Sequence, residues 1–228
     1  MKIYDVIIIG AGAAGLMCAA EAIKRNRSVL ILEKANKAGK KILISGGGRC
    51  NFTNLNIEPH AFISKNPHFC KSALSRYTQW DIISMLESFN LTWNEKKLGQ
   101  LFCYKSAKDI IDMLVSECNK YKVEIYIDTK IKNLKKNENS YVVQTDKGLV
   151  TSSSIVVATG GLSIPKIGAT DFGYKIAEKF DLKVTNLAPA LVPLIFEKNI
   201  LDFCKSLAGV SLNASIQINK IVFKEGLI

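Results

Sequence analysis

The sequence contains no CxxC pair and only two histidines, His60 and His68. That scarcity argues against a structural zinc site, which needs four closely spaced thiolate or imidazole ligands, and no metal is expected. The six cysteines fall at 18, 50, 70, 103, 118 and 204 and form no disulfide framework of the kind that staples small secreted domains. A reducing, cytoplasmic setting is therefore expected. No apolar run is long enough to span a membrane. The opening MKIYDVIIIGAGAAGLMCAAEA has a basic residue, an apolar run and small residues in the order of a signal peptide, but Asp5 interrupts the run. No block of like charge, internal repeat or low-complexity linker occurs.

What is present is a chain of 228 residues, 48% of them hydrophobic, with a mean hydropathy of +0.12. That is enough to bury one sizeable core. Lys and Arg number 31 against 20 Asp and Glu, a formal net charge of +11. Such a balance suits nucleic acid, a membrane surface or an anionic small molecule. The lysines are scattered, and the sequence is read as lacking interleaved basic and aromatic residues. A solvated surface with no nucleic-acid or membrane partner is expected.

YDVIIIG is a short β-branched run ending in glycine, the pattern of a strand buried on both faces. A helix follows from Ala14 to Lys24, and SVLILE at 28–33 gives the next buried strand, closing one βαβ unit. Residues 35–56 read as a long polar, glycine-rich loop, of a length that is usually functional or disordered. Helical periodicity runs over 69–90 and 106–121, the second with Ser106 as its N-cap. Strands and turns follow, with turns at 137–139 and 146–148 and an apolar strand at Ile155 to Ala158. DFGYKIAEKF reads as a helix, and beyond about 187 the pattern suggests strands of a different unit.

GAGAAG places Gly10, Gly12 and Gly15 in a GxGxxG arrangement between strand and helix. Gly10 suits a tight turn, Gly12 a close approach to a pyrophosphate, and Gly15 tight packing of helix on strand. Ala13 and Ala14 open the helix, whose N–H groups and partial positive charge face the phosphates. Glu33, followed by Lys34, ends the second strand and can accept hydrogen bonds from ribose hydroxyls. The fingerprint predicts dinucleotide binding but does not separate FAD from NAD.

Three segments, GKKILISGGGRCNFTN, ATGGLSIPKIGATDFGYKIAEKF and LAPALVPL, together resemble the bacterial NAD(P)/FAD-dependent oxidoreductases of the aminoacetone oxidase (BaiN/RdsA) family. The resemblance implies a Rossmann-like α/β FAD-binding domain with a central parallel sheet, a β-meander and connecting helices. It also implies that the loop Ser45, Gly46, Gly47, Gly48, Arg49, Cys50 and Asn51 wraps the FAD pyrophosphate, ribityl chain and flavin edge. Arg49 suits phosphate neutralisation, and Lys40 and Lys41 add charge, though surface solubility explains them equally. Asn51, Thr53 and Asn54 can donate to flavin or ribityl oxygens, or shape turns. Cys50 reads as a packing residue, because no partner cysteine stands near it. By the same resemblance Ile131 offers its backbone to adenine, and Ala158, Thr159, Gly160 and Gly161 lie beside the cofactor. Family members read Thr-Gly-Asp-Gly where this chain has ATDFG, which shifts Asp171 relative to their pattern.

The resemblance continues only into an inserted domain, so the expected organisation is an FAD-binding domain at 1–187 and the start of a truncated β-rich substrate domain at 188–228. The implied activity is hydride transfer among NAD(P)H, flavin and an unsaturated or carbonyl-bearing small molecule, with no catalytic side chain assigned. A separate C-terminal portion is a possible partner. A remnant that keeps dinucleotide binding alone, and a flavoprotein acting on RNA, are the alternatives.

Overall fold

The computed structural model describes residues 2–189, 195–207 and 210–227. The chain divides into two compact units, Met1–Val184 and Thr185–Ile228. In the first, β1 (Ile3–Ile9), α1 (Ala13–Ile23) and β2 (Val29–Leu32) form the predicted βαβ unit. Next come α2 (Lys40–Ile44), a 3-10 turn at Ser45–Gly48, β3 (Asn51–Asn54), α3 (Lys71–Arg76), α4 (Gln79–Ser88), β4 (Trp93–Glu95) and β5 (Gln100–Cys103). The unit is completed by α5 (Ala107–Lys120), β6 (Glu124–Tyr126), β7 (Ile131–Lys136), β8 (Tyr141–Thr145), β9 (Gly148–Val157) and α6 (Phe172–Lys179). The second unit holds α7 (Lys198–Ser206) and the antiparallel hairpin of β10 (Leu212–Ile218) and β11 (Ile221–Leu227).

The main sheet runs β6-β2-β1-β9-β8-β7. Its first four strands are parallel, and β9, β8 and β7 form an antiparallel meander. Successive residues of β1 serve opposite faces, as the pleat requires. Ile8 packs with Leu16 and Ala19 of α1 and with Ile110, Met113 and Leu114 of α5. Ile7 and Ile9 pack with Leu134, Val143 and Ile176 on the other face. Burial on both faces explains why YDVIIIG is continuous rather than alternating.

Three sequence expectations need correction. The stretch 35–56 is not one loop: Ile42 buries itself in the core and draws Lys40–Ile44 into a helix, and Asn51–Asn54 pairs with β5 in the three-stranded sheet β3-β5-β4. The helical region at 69–90 is two helices, because Tyr77 and Thr78 adopt extended backbone between them. The Asp81 carboxylate then accepts from Thr78 N at 2.6 Å and from Thr78 Oγ1 at 2.7 Å, which starts α4. Beyond 187, a helix at Lys198–Ser206 precedes the strands. Ser106 does cap α5, accepting from Lys108 N at 3.1 Å. Most of LAPALVPL, from 190 on, lies outside the described residues.

Candidate functional site

The strand order reverses at β1, with β2 on one side and β9 on the other, so the loops leaving these strands diverge at their carboxyl ends. Open α/β sheets bind ligands at such a point. A cleft of about 980 Å3 lies there, lined from the β1–α1 turn, the end of β2, α2, the start of β7, the end of β9 and the start of α6.

The three glycines of the turn meet different constraints. Gly10 has φ +109°, and a Cβ on it would lie 2.6 Å from Ala158 O, so the neighbouring strand excludes a side chain. On Gly15 a Cβ would lie 1.9 Å from Gly10 O, where helix and turn touch. Gly12 has nothing within 4 Å of its would-be Cβ. It is the N-cap of α1, has no side-chain cap and lines the cleft with Ala13 and Ala14. The first-turn amides of a helix have no partner within it and carry partial positive charge. The cleft therefore meets the uncapped, partially positive end of α1.

Glu33 lines the same cleft and touches this turn directly. Its Oε2 accepts from Ala11 N at 2.8 Å and its Oε1 from Ala35 N at 2.7 Å. The carboxylate thus fastens the β1–α1 turn to the end of β2 before any ligand is considered, a role the sequence reading missed. Each oxygen keeps a second lone pair for a hydroxyl donor. Beside it, Asp128 N donates to Ala35 O and Thr129 N to Glu33 O, which draws Thr129, Lys130 and Ile131 to the cleft wall.

Lys34, Lys40 and Lys41 also line the cleft, as do Ala158, Thr159 and Gly160. Lys41 reaches across it, donating to Gly161 O at 3.0 Å and to Ser163 Oγ at 2.9 Å. Lys37, Lys130 and Lys175 were not singled out from sequence, yet they complete a basic rim. Only the meeting of three separated segments brings them to one lining. Asp171 precedes α6 at the lining and pairs with Lys175 at 2.9 Å.

The glycine-rich stretch lies elsewhere. Ser45, Gly46, Gly47, Gly48, Arg49, Cys50, Asn51, Thr53 and Asn54 do not line this cleft. Gly46, at φ +57°, would place a Cβ 2.7 Å from both Phe102 and Asn51 N, so internal packing already demands a glycine. Gly47, at φ +65°, has open space instead. Cys50 is buried, and burial raises its thiol pKa above the ordinary value. A protonated buried thiol matches the packing role expected for it. Asn54 shapes a turn: its Oδ1 accepts from Asn56 N at 2.7 Å and its Nδ2 donates to Leu98 O at 3.0 Å. Among the described residues no cluster of His, Cys, Asp and Glu could hold a metal ion, and no helix is long and apolar enough to cross a membrane.

Ribosomal RNA dihydrouridine synthase of Escherichia coli (strain K12) is 48% identical across all of this chain, which covers 57% of that relative. The 3-dehydro-bile acid delta(4,6)-reductase of Clostridium scindens is 28% identical over 92% of this chain and 51% of its own length. The chain thus spans little more than half the length of these relatives. Among solved structures, the open conformation of a flavocytochrome c3 fumarate reductase matches with a TM-score of 0.55 over 78% of this chain and 40% of that one, at 20% identity, which shows a shared fold. The profile that matches residues 4–224 spans the βαβ turn, the cleft and the meander alike, and by it the chain belongs to the HI0933-like protein Rossmann domain family.

Proposed function

We propose that this chain carries the FAD-binding part of a flavin-dependent oxidoreductase that reduces a carbon–carbon double bond conjugated to a carbonyl group, with uridine of ribosomal RNA as the substrate. One observation carries the cofactor reading: the open Gly12, the N-terminus of α1 and Glu33 line one cleft, which is large enough for an adenosine diphosphate. In this reading the amides of Ala13 and Ala14 take the pyrophosphate, Glu33 accepts from the ribose hydroxyls, and Ile131 meets adenine. Lys40 and Lys41 offset phosphate charge. Ala158, Thr159, Gly160 and Gly161 flank the path toward the flavin, and the glycine-rich turn with Gly47 and Arg49, which lies outside the cleft, would meet only the part of the cofactor that extends beyond it.

When bound, reduced FAD would supply a hydride to one carbon of the double bond while a proton joins the other, and NAD(P)H would restore the reduced flavin. The substrate reading draws on the names of two relatives. One makes dihydrouridine, which is uridine with its 5,6 double bond reduced, and the other is a bile-acid delta(4,6)-reductase. Both names describe reduction of a conjugated double bond, and the greater identity lies with the RNA enzyme. RNA was not the partner expected from charge alone. The chain's domains follow: residues 1–187 as the FAD-binding domain and 188–228 as the start of a substrate domain that further polypeptide completes.

The test is calorimetric titration of the chain with ADP, then FAD, followed by an assay of uridine loss in ribosomal RNA with the rest of the relatives' length supplied in trans. Expected are ADP and FAD binding that compete, and RNA reduction only with the added portion. Absence of ADP binding would overturn the cofactor reading. Reduction of a small enone but not of RNA would overturn the substrate.

A further inference from the structure

From Pro59 to Trp80 the chain contains Lys65, Lys71 and Arg76 and no aspartate or glutamate. The structure exposes this stretch: Phe69 is 79% exposed, Trp80 59% and Phe62 45%. Large aromatic side chains left in water within a stretch whose own charged residues are all positive form an unusual surface, since a monomer normally buries them. None of the three cations pairs with a carboxylate among the described residues. The flanking Asp81 is turned back onto Thr78. The basic and aromatic interleaving that the sequence reading found lacking is therefore present here.

The stretch is also tied down. Cys70 Sγ lies 3.7 Å from Pro59 O, and Gln79 Nε2 donates to Leu55 O at 3.1 Å, so the segment returns to the end of β3. That strand follows the glycine-rich turn directly. Aromatic faces interspersed with cations are what unpaired nucleotides require: stacking for bases, charge for phosphates.

Resting on the RNA reading above, we propose that residues 59–80 form a docking surface for single-stranded RNA, with Phe62, Phe69 and Trp80 stacking on bases and Lys65, Lys71 and Arg76 meeting phosphates. The surface sits beside the glycine-rich turn and holds the strand that carries the target uridine.

The experiment measures fluorescence anisotropy of a short labelled single-stranded oligouridine with the full chain over a range of salt concentrations. Lys65→Ala/Lys71→Ala/Arg76→Ala should lower the slope of log K against log salt by about 2, at roughly 0.7 per phosphate contact. Phe69→Ala should weaken binding about tenfold, within the range of one lost base stack, with little change in slope. ADP-dependent stabilisation should be unchanged in both variants, which shows that they fold. Wild-type binding to RNA with variants of equal affinity and slope would overturn this surface and leave the RNA substrate standing. No oligouridine binding by the wild type would overturn both. Loss of self-association, or of binding to the remaining portion of the relatives, in the variants with RNA affinity intact would assign the surface to a polypeptide and overturn the proposal.

Discussion

Replacing Glu33 by alanine removes two acceptors at once, and the structure separates the consequences. Without ligand, Ala11 N loses its partner at 2.8 Å and Ala35 N its partner at 2.7 Å. Hydrogen bonds to a charged group contribute about 1.5–3 kcal/mol each, so the pair sets a ceiling of roughly 6 kcal/mol. Ala35 is half-buried, and water can replace part of its bond, whereas Ala11 is 0% exposed. The expected loss is therefore about 2–4 kcal/mol of folding stability. Glu33→Gln keeps one acceptor oxygen and should lose about half as much. Urea denaturation measures both, with and without ADP. Saturation at about 100 times Kd adds roughly 2.7 kcal/mol to the wild type. That gain should shrink sharply in Glu33→Ala if ribose hydroxyls use the remaining lone pairs. An unchanged midpoint without ADP would refute the fastening role, and a full ADP gain in the variant would refute the ribose role.

Two further outcomes are expected. Gly46→Ala must force a Cβ against Phe102 and Asn51 N at a positive φ, and overpacking and backbone strain together should destabilise the chain by about 2–4 kcal/mol. Gly47→Ala carries only the backbone cost of about 1–2 kcal/mol, so flavin binding should suffer more than stability; similar melting for the two variants would refute the distinction. Asp5, Asp81 and Glu124 have carboxyl pKa values held below the usual range, by hydrogen bonds from Ser28, from Thr78 and from Lys2 respectively. Depressed folded values mean that the unfolded state binds more protons in acid, so the contribution is present above about pH 4 and is lost as pH falls through the folded values. Urea midpoints should be flat from neutral to about pH 5 and drop below about pH 4, with Asp5→Asn and Asp81→Asn each flattening the drop; an acid limb of the same steepness in both variants would sink this assignment.

The βαβ unit was legible because its signals are local. A β-branched run, a glycine at a turn and a helix start lie within a few residues, and steric rules act at that range. Ser106 as a cap was legible for the same reason. The three-stranded sheet was not, because β3 pairs with β5 across the intervening α3 and α4, and nothing in NFTN alone names its partner. Likewise, the segment 59–80 displays its basic and aromatic residues in the sequence, but their exposure appears only once the rest of the chain declines to cover them.

The sequence by itself determined the dinucleotide fingerprint, the positions of Gly10, Gly12 and Gly15, and Glu33 as an acid at the end of the second strand. Tertiary structure decided what each of these does. It gave Gly10 and Gly15 to packing and left Gly12 open, put both oxygens of Glu33 on backbone amides, and turned Gly46 toward Phe102. It also brought Lys37, Lys130 and Lys175 to one rim. The reason is physical: a local pattern fixes backbone conformation, whereas which atoms stand opposite a side chain depends on segments that only the packed sheet brings together.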